Sequence, residues 1–183
     1  MNFCRPRFNL YFLPVALCLL VSGCAAPHSG SMFHHKKKLI GILRVHVESE
    51  NSLAGTTQTI SVLRSQPVAL NISTDVILTE ADVVGARLLE APGGFAVEVR
   101  FEDIAGWRLE QYSAINPGKH LAIFGQWGDQ PADGRWLAAP LIVRRMAGGV
   151  LAFTPDASRA EMEAWVKGLS EAAKANAVPK PKS

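Results

Sequence analysis

Cysteine is scarce in this sequence and absent from most of it. The three cysteines, Cys4, Cys18 and Cys24, all fall within the first 24 of the 183 residues. Residues 25–183 therefore contain no thiol for a disulfide or for a cysteine-ligated metal site. We predict that the domain formed by these residues is held together by its apolar core alone.

A large excess of charge of one sign is also missing. The sequence has 19 basic and 16 acidic residues. Two of the basic residues, Arg5 and Arg7, lie in an N-terminal segment without acids that is predicted to be removed, which leaves 17 basic and 16 acidic residues and a net charge of about +1. Nucleic-acid-binding domains typically carry a basic surface, so this balance predicts no nucleic-acid partner.

The N-terminal apolar run is too short for a confident transmembrane span, because residues 10–21 fall short of the roughly 20 that such a helix needs. It follows a basic start and precedes the sequence VSGC, which ends at Cys24 and resembles the bacterial lipobox. In a lipobox, small residues give the peptidase access to the bond before a cysteine that becomes lipidated. We predict that residues 1–23 are a lipoprotein signal peptide and that Cys24 carries the lipid. An ordinary secretory signal and an uncleaved anchor are the alternatives.

The location that follows is the cell envelope, with the chain lipid-anchored and facing the periplasm. Ala25 stands where an Asp signals inner-membrane retention in some bacteria, which favours the outer membrane slightly over the inner membrane.

Residues 24–38 are predicted to be a flexible basic tether. The tether ends in His34, His35, Lys36, Lys37 and Lys38. The three lysines are predicted to contact anionic headgroups, at about 1 kcal/mol each, and a solvated linker without membrane contact is the alternative. Adjacent histidine side chains rarely converge on one ion and no third ligand is near, so we predict no metal site.

Residues 39–173 are predicted to form a single α+β domain, a mostly antiparallel sheet packed by helices at 103–115 and 158–173, followed by a disordered tail at 174–183. Alternating apolar residues predict strands from position 43 onward, with residues 50–56 as a hairpin loop between the first two. His46 falls on the polar face of the first strand and is predicted to be solvated. The expected buried face of the first helix comprises Ile104, Ala105, Leu109, Tyr112 and Ile115.

The turn NPGK at 116–119 ends that helix, because proline and glycine suit the second and third positions of a turn. The continuous apolar run at 121–124 predicts a strand covered on both faces. Thr79 and Asp82 predict a capped single turn, and Ser158 with Glu161 predicts a capping box.

The sequence contains residue types that are used in catalysis, but not in a recognisable catalytic motif. Ser113, His120 and Asp129 offer the residue types of a triad, but Ser113 lies within a helix and the sequence has no G-x-S-x-G elbow. The carboxylates of Glu98, Glu102 and Asp103 are predicted to be solvated. We therefore predict a protein without enzymatic activity and without a small-molecule cofactor, with an envelope hydrolase as the alternative.

The second half of the chain carries an ordered series of short motifs: TEADVVGA, GGFAVEVRF, a helix, NPGKHLAIFG, AAPLIV, GGV and FTPDASRAEMEAW. This order resembles the periplasmic head subdomain of the SecD/SecDF translocase subunit over residues 78–169. The positions with most weight are Asn116, Gly118, Lys119, Leu121, Ala122, Ile123, Ala139, Pro140, Gly148 and Gly149.

The resemblance implies the fold and an extracytoplasmic, non-catalytic setting for this chain. It does not extend to a motor function, because no transmembrane bundle and hence no proton path is predicted. The family's hairpin after the buried strand is also replaced by residues 124–127 and the loop GDQPADG.

We therefore expect a lipid-anchored domain that binds or scaffolds an envelope protein or an exported chain. Trp127 and Trp136 flank the GDQPADG loop and are the predicted contact residues, since aromatic residues are enriched at interfaces. Packing of both rings on the domain's own edge is the alternative. An accessory role in protein translocation across the inner membrane is a second hypothesis.

The basic tether gives the first testable prediction. A Cys24→Ser protein is expected to bind anionic liposomes through Lys36, Lys37 and Lys38, and replacement of the three lysines by alanine is expected to abolish that binding. Sedimentation with liposomes at increasing salt measures the effect. Binding that is absent or insensitive to salt would rule out the electrostatic contact and leave a passive tether.

Overall fold

The computed structural model describes residues 41–50 and 55–177. The predicted signal peptide, Cys24, the tether with Lys36, Lys37 and Lys38, and the last six residues of the predicted tail lie outside the described residues.

The described residues form eight strands and two helices. They are β1 (Ile42–Glu48), β2 (Thr57–Val62), β3 (Val68–Thr79), β4 (Val83–Ala91), β5 (Gly94–Phe101), α1 (Asp103–Ile115), β6 (Leu121–Gln126), β7 (Gly134–Ala138), β8 (Val150–Phe153) and α2 (Arg159–Asn176).

The strands make two antiparallel sheets, which confirms the α+β class. The larger sheet has the order β2-β3-β1-β6-β7 and the smaller has the order β4-β5-β8. The predicted hairpin between β1 and β2 is wrong, because β3 lies between them. β3 is long enough to pair with β2 through its first half and with β1 through its second. Alternation of apolar residues identifies a strand but not its neighbour.

The main core lies where the two sheets and both helices meet. α2 contributes Trp165, whose ring is fully buried and whose indole N–H donates to the carbonyl of Ile42 at 2.8 Å. This bond joins α2 to the start of β1. Other buried residues of this core come from every layer and include Leu43, Leu78, Val97, Val99, Leu109, Ile123, Leu151, Phe153, Met162 and Leu169.

A second, smaller cluster covers the opposite face of the larger sheet. It contains Ile60, Val62, Leu70, Ile72 and Ala122, with Trp136 and Ala139 packed against it. Strand β6 therefore has apolar contacts on both faces, with Leu121 and Ile123 in the main core and Ala122 in the second cluster. This confirms the prediction made from the continuous apolar run at 121–124.

The second cluster overturns the prediction for His46. Its side chain is buried at 8% exposure, and its Nδ1 atom lies 2.9 Å from the carbonyl oxygen of Ser73. The imidazole also meets the Trp136 ring edge to face at 5.5 Å between centroids. The face that looked polar in the sequence is covered, because β3 and β7 bring apolar residues to that side of the sheet.

Local signals at the element ends are confirmed. Thr79 and Asp82 form the capping box of a single 3-10 turn at Glu80–Asp82, and Ser158 with Glu161 caps α2 in the same way. Gly118 adopts the left-handed region that the NPGK turn requires, with φ of 84°. α2 continues to Asn176, beyond the predicted end at 173. Neither described helix combines the length and apolar character needed to cross a bilayer.

The packing of α2 on β1 yields a prediction for Gly41, which precedes β1. A Cβ atom at Gly41 would lie 2.3 Å from the backbone nitrogen of Leu169 and 2.6 Å from the carbonyl carbon of Gly168. Backbone atoms cannot turn aside as a side chain does. Gly41→Ala is therefore expected to lower the free energy of unfolding by about 1–3 kcal/mol, measured by urea denaturation.

Gly85→Ala is the matched control, because a Cβ atom there meets nothing within 4 Å. We expect Gly85→Ala to change stability by less than about 0.5 kcal/mol. Equal stabilities for the two variants would contradict the close approach of α2 to the chain at Gly41.

Candidate interaction surface

Helix α1 is turned differently from the prediction. Its buried residues are Ala105, Gly106, Leu109 and Ser113, whereas Ile104 and Ile115 point to solvent. The prediction was correct for Ala105 and Leu109, and Tyr112 is partly buried against the main core. It was wrong for both isoleucines.

A close backbone contact explains this orientation. A Cβ atom on Gly106 would lie 2.8 Å from the Cα atom of Gly149, so the helix and the turn at Gly148 and Gly149 meet almost backbone to backbone. Only small residues fit at such an approach. The part of α1 beside Gly149 therefore carries alanine and glycine, Leu109 and Tyr112 pack toward the core, and Ile104, Trp107 and Ile115 lie on the other side.

The outer face of α1 is consequently an exposed apolar stripe formed by Ile104, Trp107 and Ile115, which we call the α1 face. Their exposed fractions are 69%, 63% and 76%. At 100° per residue these positions share one side of the helix. Single exposed apolar residues are common on protein surfaces, but a grouped stripe that includes a tryptophan is typical of an interaction site.

A cleft of about 210 Å³ opens beside Trp107, between α1 and the turn at Gly148 and Gly149. The charged residues that line it, Glu102, Asp103 and Glu110, are all acidic. Glu110 is neutralised by an ion pair with Arg145.

Two acids of this cleft remain unpaired. No ion pair within the described ranges involves Glu102 or Asp103, and both are exposed. They lie at the start of α1, where the helix dipole favours negative charge. The α1 face thus combines exposed apolar area with an acidic end.

Trp127 and Trp136, the predicted contact residues, are partly buried. The guanidinium of Arg135 stacks over the Trp127 ring at 4.8 Å from its centroid. Trp136 meets Phe124 and His46 edge to face. Both tryptophans keep some accessible surface, and their role in binding stays a prediction.

Trp136 borders a second cleft, of about 440 Å³, between the β2–β3 connection and β7. Its walls include Leu63, whose φ of 67° is unusual for a residue other than glycine. The nearby Arg64 is held by Asp156, whose carboxylate accepts hydrogen bonds from the Arg64 backbone and guanidinium. Arg135, also in the wall, is paired with Glu161.

Ser113 and His120, two of the three residues considered for a triad, make other contacts, and Asp129 is exposed. The Ser113 hydroxyl is buried, donates to the carbonyl of Glu110 at 3.0 Å and accepts from the Met146 N–H at 2.8 Å. His120 contacts Glu48, with 2.7 Å between Nδ1 and Oε2. Ser113 thus links the end of α1 to the segment that carries Met146, and this role is structural.

The three carboxylates considered in the sequence, those of Glu98, Glu102 and Asp103, do not all lie at one site. Glu98 pairs with Arg87 across β4 and β5, whereas Glu102 and Asp103 line the acidic cleft. Within residues 41–50 and 55–177, no three His, Cys, Asp or Glu side chains come together in a way that would hold a metal ion.

Sequence reasoning missed Trp107. The helical wheel of α1 has large apolar residues on both sides, Leu109 and Tyr112 on one and Ile104, Trp107 and Ile115 on the other, so the wheel does not show which side faces the core. Ile104 and Ile115 were assigned to the core, where their size would normally place them, and Trp107 was assigned to neither side. Gly148 and Gly149 limit the space on the inner side, but they lie far along the chain and only the fold brings them to α1.

Comparison with known proteins gives no family assignment. No protein-family model matches the sequence, and no curated protein matches it. A structure described as that of a membrane component SecDF that enhances protein export is 20% identical with a TM-score of 0.48, covering 79% of this chain and 66% of that chain. A crystal structure of SecDF in a super-membrane-facing form is 20% identical with a TM-score of 0.47. That match covers 74% of this chain and 19% of the SecDF chain. Similarity at this level does not assign a function.

The contact between Glu48 and His120 gives a pH prediction. Burial opposes ionisation of Glu48, but hydrogen bonds from the His120 ring and backbone outweigh it and hold the pKa of Glu48 below its usual 4.5. A lowered pKa contributes stability that is present above pH 4.5 and is lost as the pH falls through the folded-state pKa. Glu48→Gln is expected to cost roughly 1 kcal/mol near pH 7 and progressively less below pH 4.5.

Urea denaturation of the wild type and the variant across this pH range measures the difference. Glu50→Gln is the control, because Glu50 is 82% exposed and lies 3.8 Å from its partner Lys119. A stability difference for Glu48→Gln that stays constant with pH would contradict the assignment to the Glu48 carboxylate.

Proposed function

We propose that this chain is a lipid-anchored, non-catalytic binding protein of the bacterial cell envelope, and that the α1 face contacts an envelope protein or an exported chain. The observation that carries the proposal is the outward position of Trp107 between Ile104 and Ile115. The fold keeps these three large side chains in water, although burying each would gain on the order of 1.5–3 kcal/mol.

The α1 face suits protein binding because its support is rigid. The helix is fixed by Leu109 in the main core and by the Gly106 contact with Gly149. Arg108 adds a hydrogen bond of 2.7 Å to the carbonyl of Ile77, which ties α1 to β3. A partner would meet a preformed surface and would not have to order it.

The anchor in this proposal is the lipid on Cys24, supported by the lipobox-like sequence VSGC. With the tether at 24–38, it would hold the domain at the periplasmic side of a membrane. Lys36, Lys37 and Lys38 would then lie near the headgroups.

A role as an accessory factor in protein translocation is the second candidate function. It is favoured by the ordered motifs between residues 78 and 169, which resemble the SecD head subdomain. The partner would then be an exported chain or a component of the translocation machinery. Membership of that family stays a prediction.

Crosslinking in cells tests the proposed contact. A photoreactive amino acid at Ile115, the most exposed residue of the α1 face, is expected to capture a protein partner. The same probe at Val68, an apolar residue with 42% exposure at the start of β3, is the control for a position outside the α1 face. Trp107→Ala is expected to reduce the capture from position 115 about tenfold, since aromatic residues often dominate binding energy.

Because Trp107 is exposed, Trp107→Ala should leave the urea midpoint nearly unchanged, so a loss of capture would not reflect unfolding. Equal capture from positions 115 and 68 would refute the α1 face as the site. A Trp127→Ala, Trp136→Ala double variant tests the residues predicted from the sequence. Its stability must be measured in parallel, because both rings pack against the core clusters.

A further inference from the structure

We propose that residues 178–183 of this chain dock on the acidic end of the α1 face and compete there with the partner. The segment reads VPKPKS and follows directly on the end of α2. The competition rests on the proposed function, whereas the docking does not.

The end of α2 lies beside the start of α1. Asn176 and Ala177 line one cavity of about 200 Å³ together with Asp82, Val84 and Glu102. Glu102 also lines the acidic cleft next to Trp107. Six residues span at most about 20 Å when extended, so the segment can reach from Ala177 across Glu102 to the α1 face.

The charges of the two surfaces are complementary. The segment contains Lys180 and Lys182 and no acid. Glu102, which lines a cavity together with Asn176 and Ala177, and the adjacent Asp103 are exposed acids with no ion pair among the described residues. Two exposed ion pairs contribute little in a bimolecular contact, but a segment already attached to the domain has a high effective concentration.

The apolar chemistry also matches. Pro179 and Pro181 limit the conformations that the segment must give up on docking. Proline-rich segments bind aromatic-lined grooves, and a lysine beside an indole ring gains a cation–π contact. Trp107 and the exposed Ile104 supply these surfaces, and Val84, at 58% exposure, continues the apolar area toward the end of α2.

Docking of this segment would regulate the binding site. A partner must displace residues 178–183 from Glu102 and Trp107, so its affinity falls by the fraction of domains in which the site is occupied. A partner with stronger apolar contacts along the whole α1 face, including Ile115, would still displace the segment. The segment therefore selects against weak or short competitors.

Disulfide crosslinking in the full chain tests the docking. Ser183→Cys is paired with Ile104→Cys, which keeps both lysines and both acids, and in the control with Gln58→Cys on β2. Single-cysteine variants correct for pairing with Cys4, Cys18 or Cys24, and mass spectrometry identifies the linked peptides. We expect a 183–104 crosslink well above the 183–58 control.

Charge reversal separates docking from mere proximity. Lys180→Glu with Lys182→Glu, or 0.5 M salt, is expected to lower the 183–104 yield about threefold or more, the range that two exposed ion pairs support. A yield that equals the control, or that does not respond to charge reversal and salt, overturns the proposal.

Deletion of residues 178–183 tests the competition. Capture of a partner from a photoreactive residue at 115 is expected to rise about threefold in the deletion variant. A strong 183–104 crosslink with no partner captured in either form would refute the proposed function and leave the docking intact. Partner capture that is unchanged by the deletion would refute the competition alone.

Discussion

The near contact of two glycine backbones, Gly106 in α1 and Gly149 in the turn before β8, decides how the helix is oriented. It leaves little space for side chains on the part of α1 beside Gly149, so alanine and glycine occupy that part, whereas Leu109 reaches into the core and Tyr112 packs partly against it. Ile104 and Trp107 are left outside for the same reason. The candidate interaction surface is thus a direct consequence of how closely the helix packs on the smaller sheet.

A second constraint is that both faces of the larger sheet are apolar and must be covered. The long strand β3 makes this possible, because it extends beyond the main core and carries β2 with it. Their apolar residues meet Ala122 and Trp136 on the side away from the helices. His46 is enclosed there, and its contacts with the Ser73 carbonyl and the Trp136 ring account for a buried polar residue in an apolar cluster.

Features encoded by a few neighbouring residues were predictable from the sequence, whereas those that depend on distant contacts were not. The capping box at Ser158, the turn at Gly118 and the doubly covered strand β6 each follow from a short pattern. The pairing partner of β2, the burial of His46 and the outer position of Ile104 depend on residues far away in the chain. Trp107 belongs to the second group, because its exposure depends on the close approach of the Gly106 and Gly149 backbones.

The division of α1 into two sides also separates stability from binding. The inner side and its hydrogen bonds, such as that from the Met146 N–H to the Ser113 hydroxyl, hold the helix in place. The outer side contributes little to folding, because Trp107 and Ile104 remain exposed in the folded domain. Residues that add no stability yet are large and apolar would ordinarily raise the risk of aggregation. A contact that covers them, by a partner or by the segment after α2, removes that cost, and this gives both proposed occupants a common physical basis.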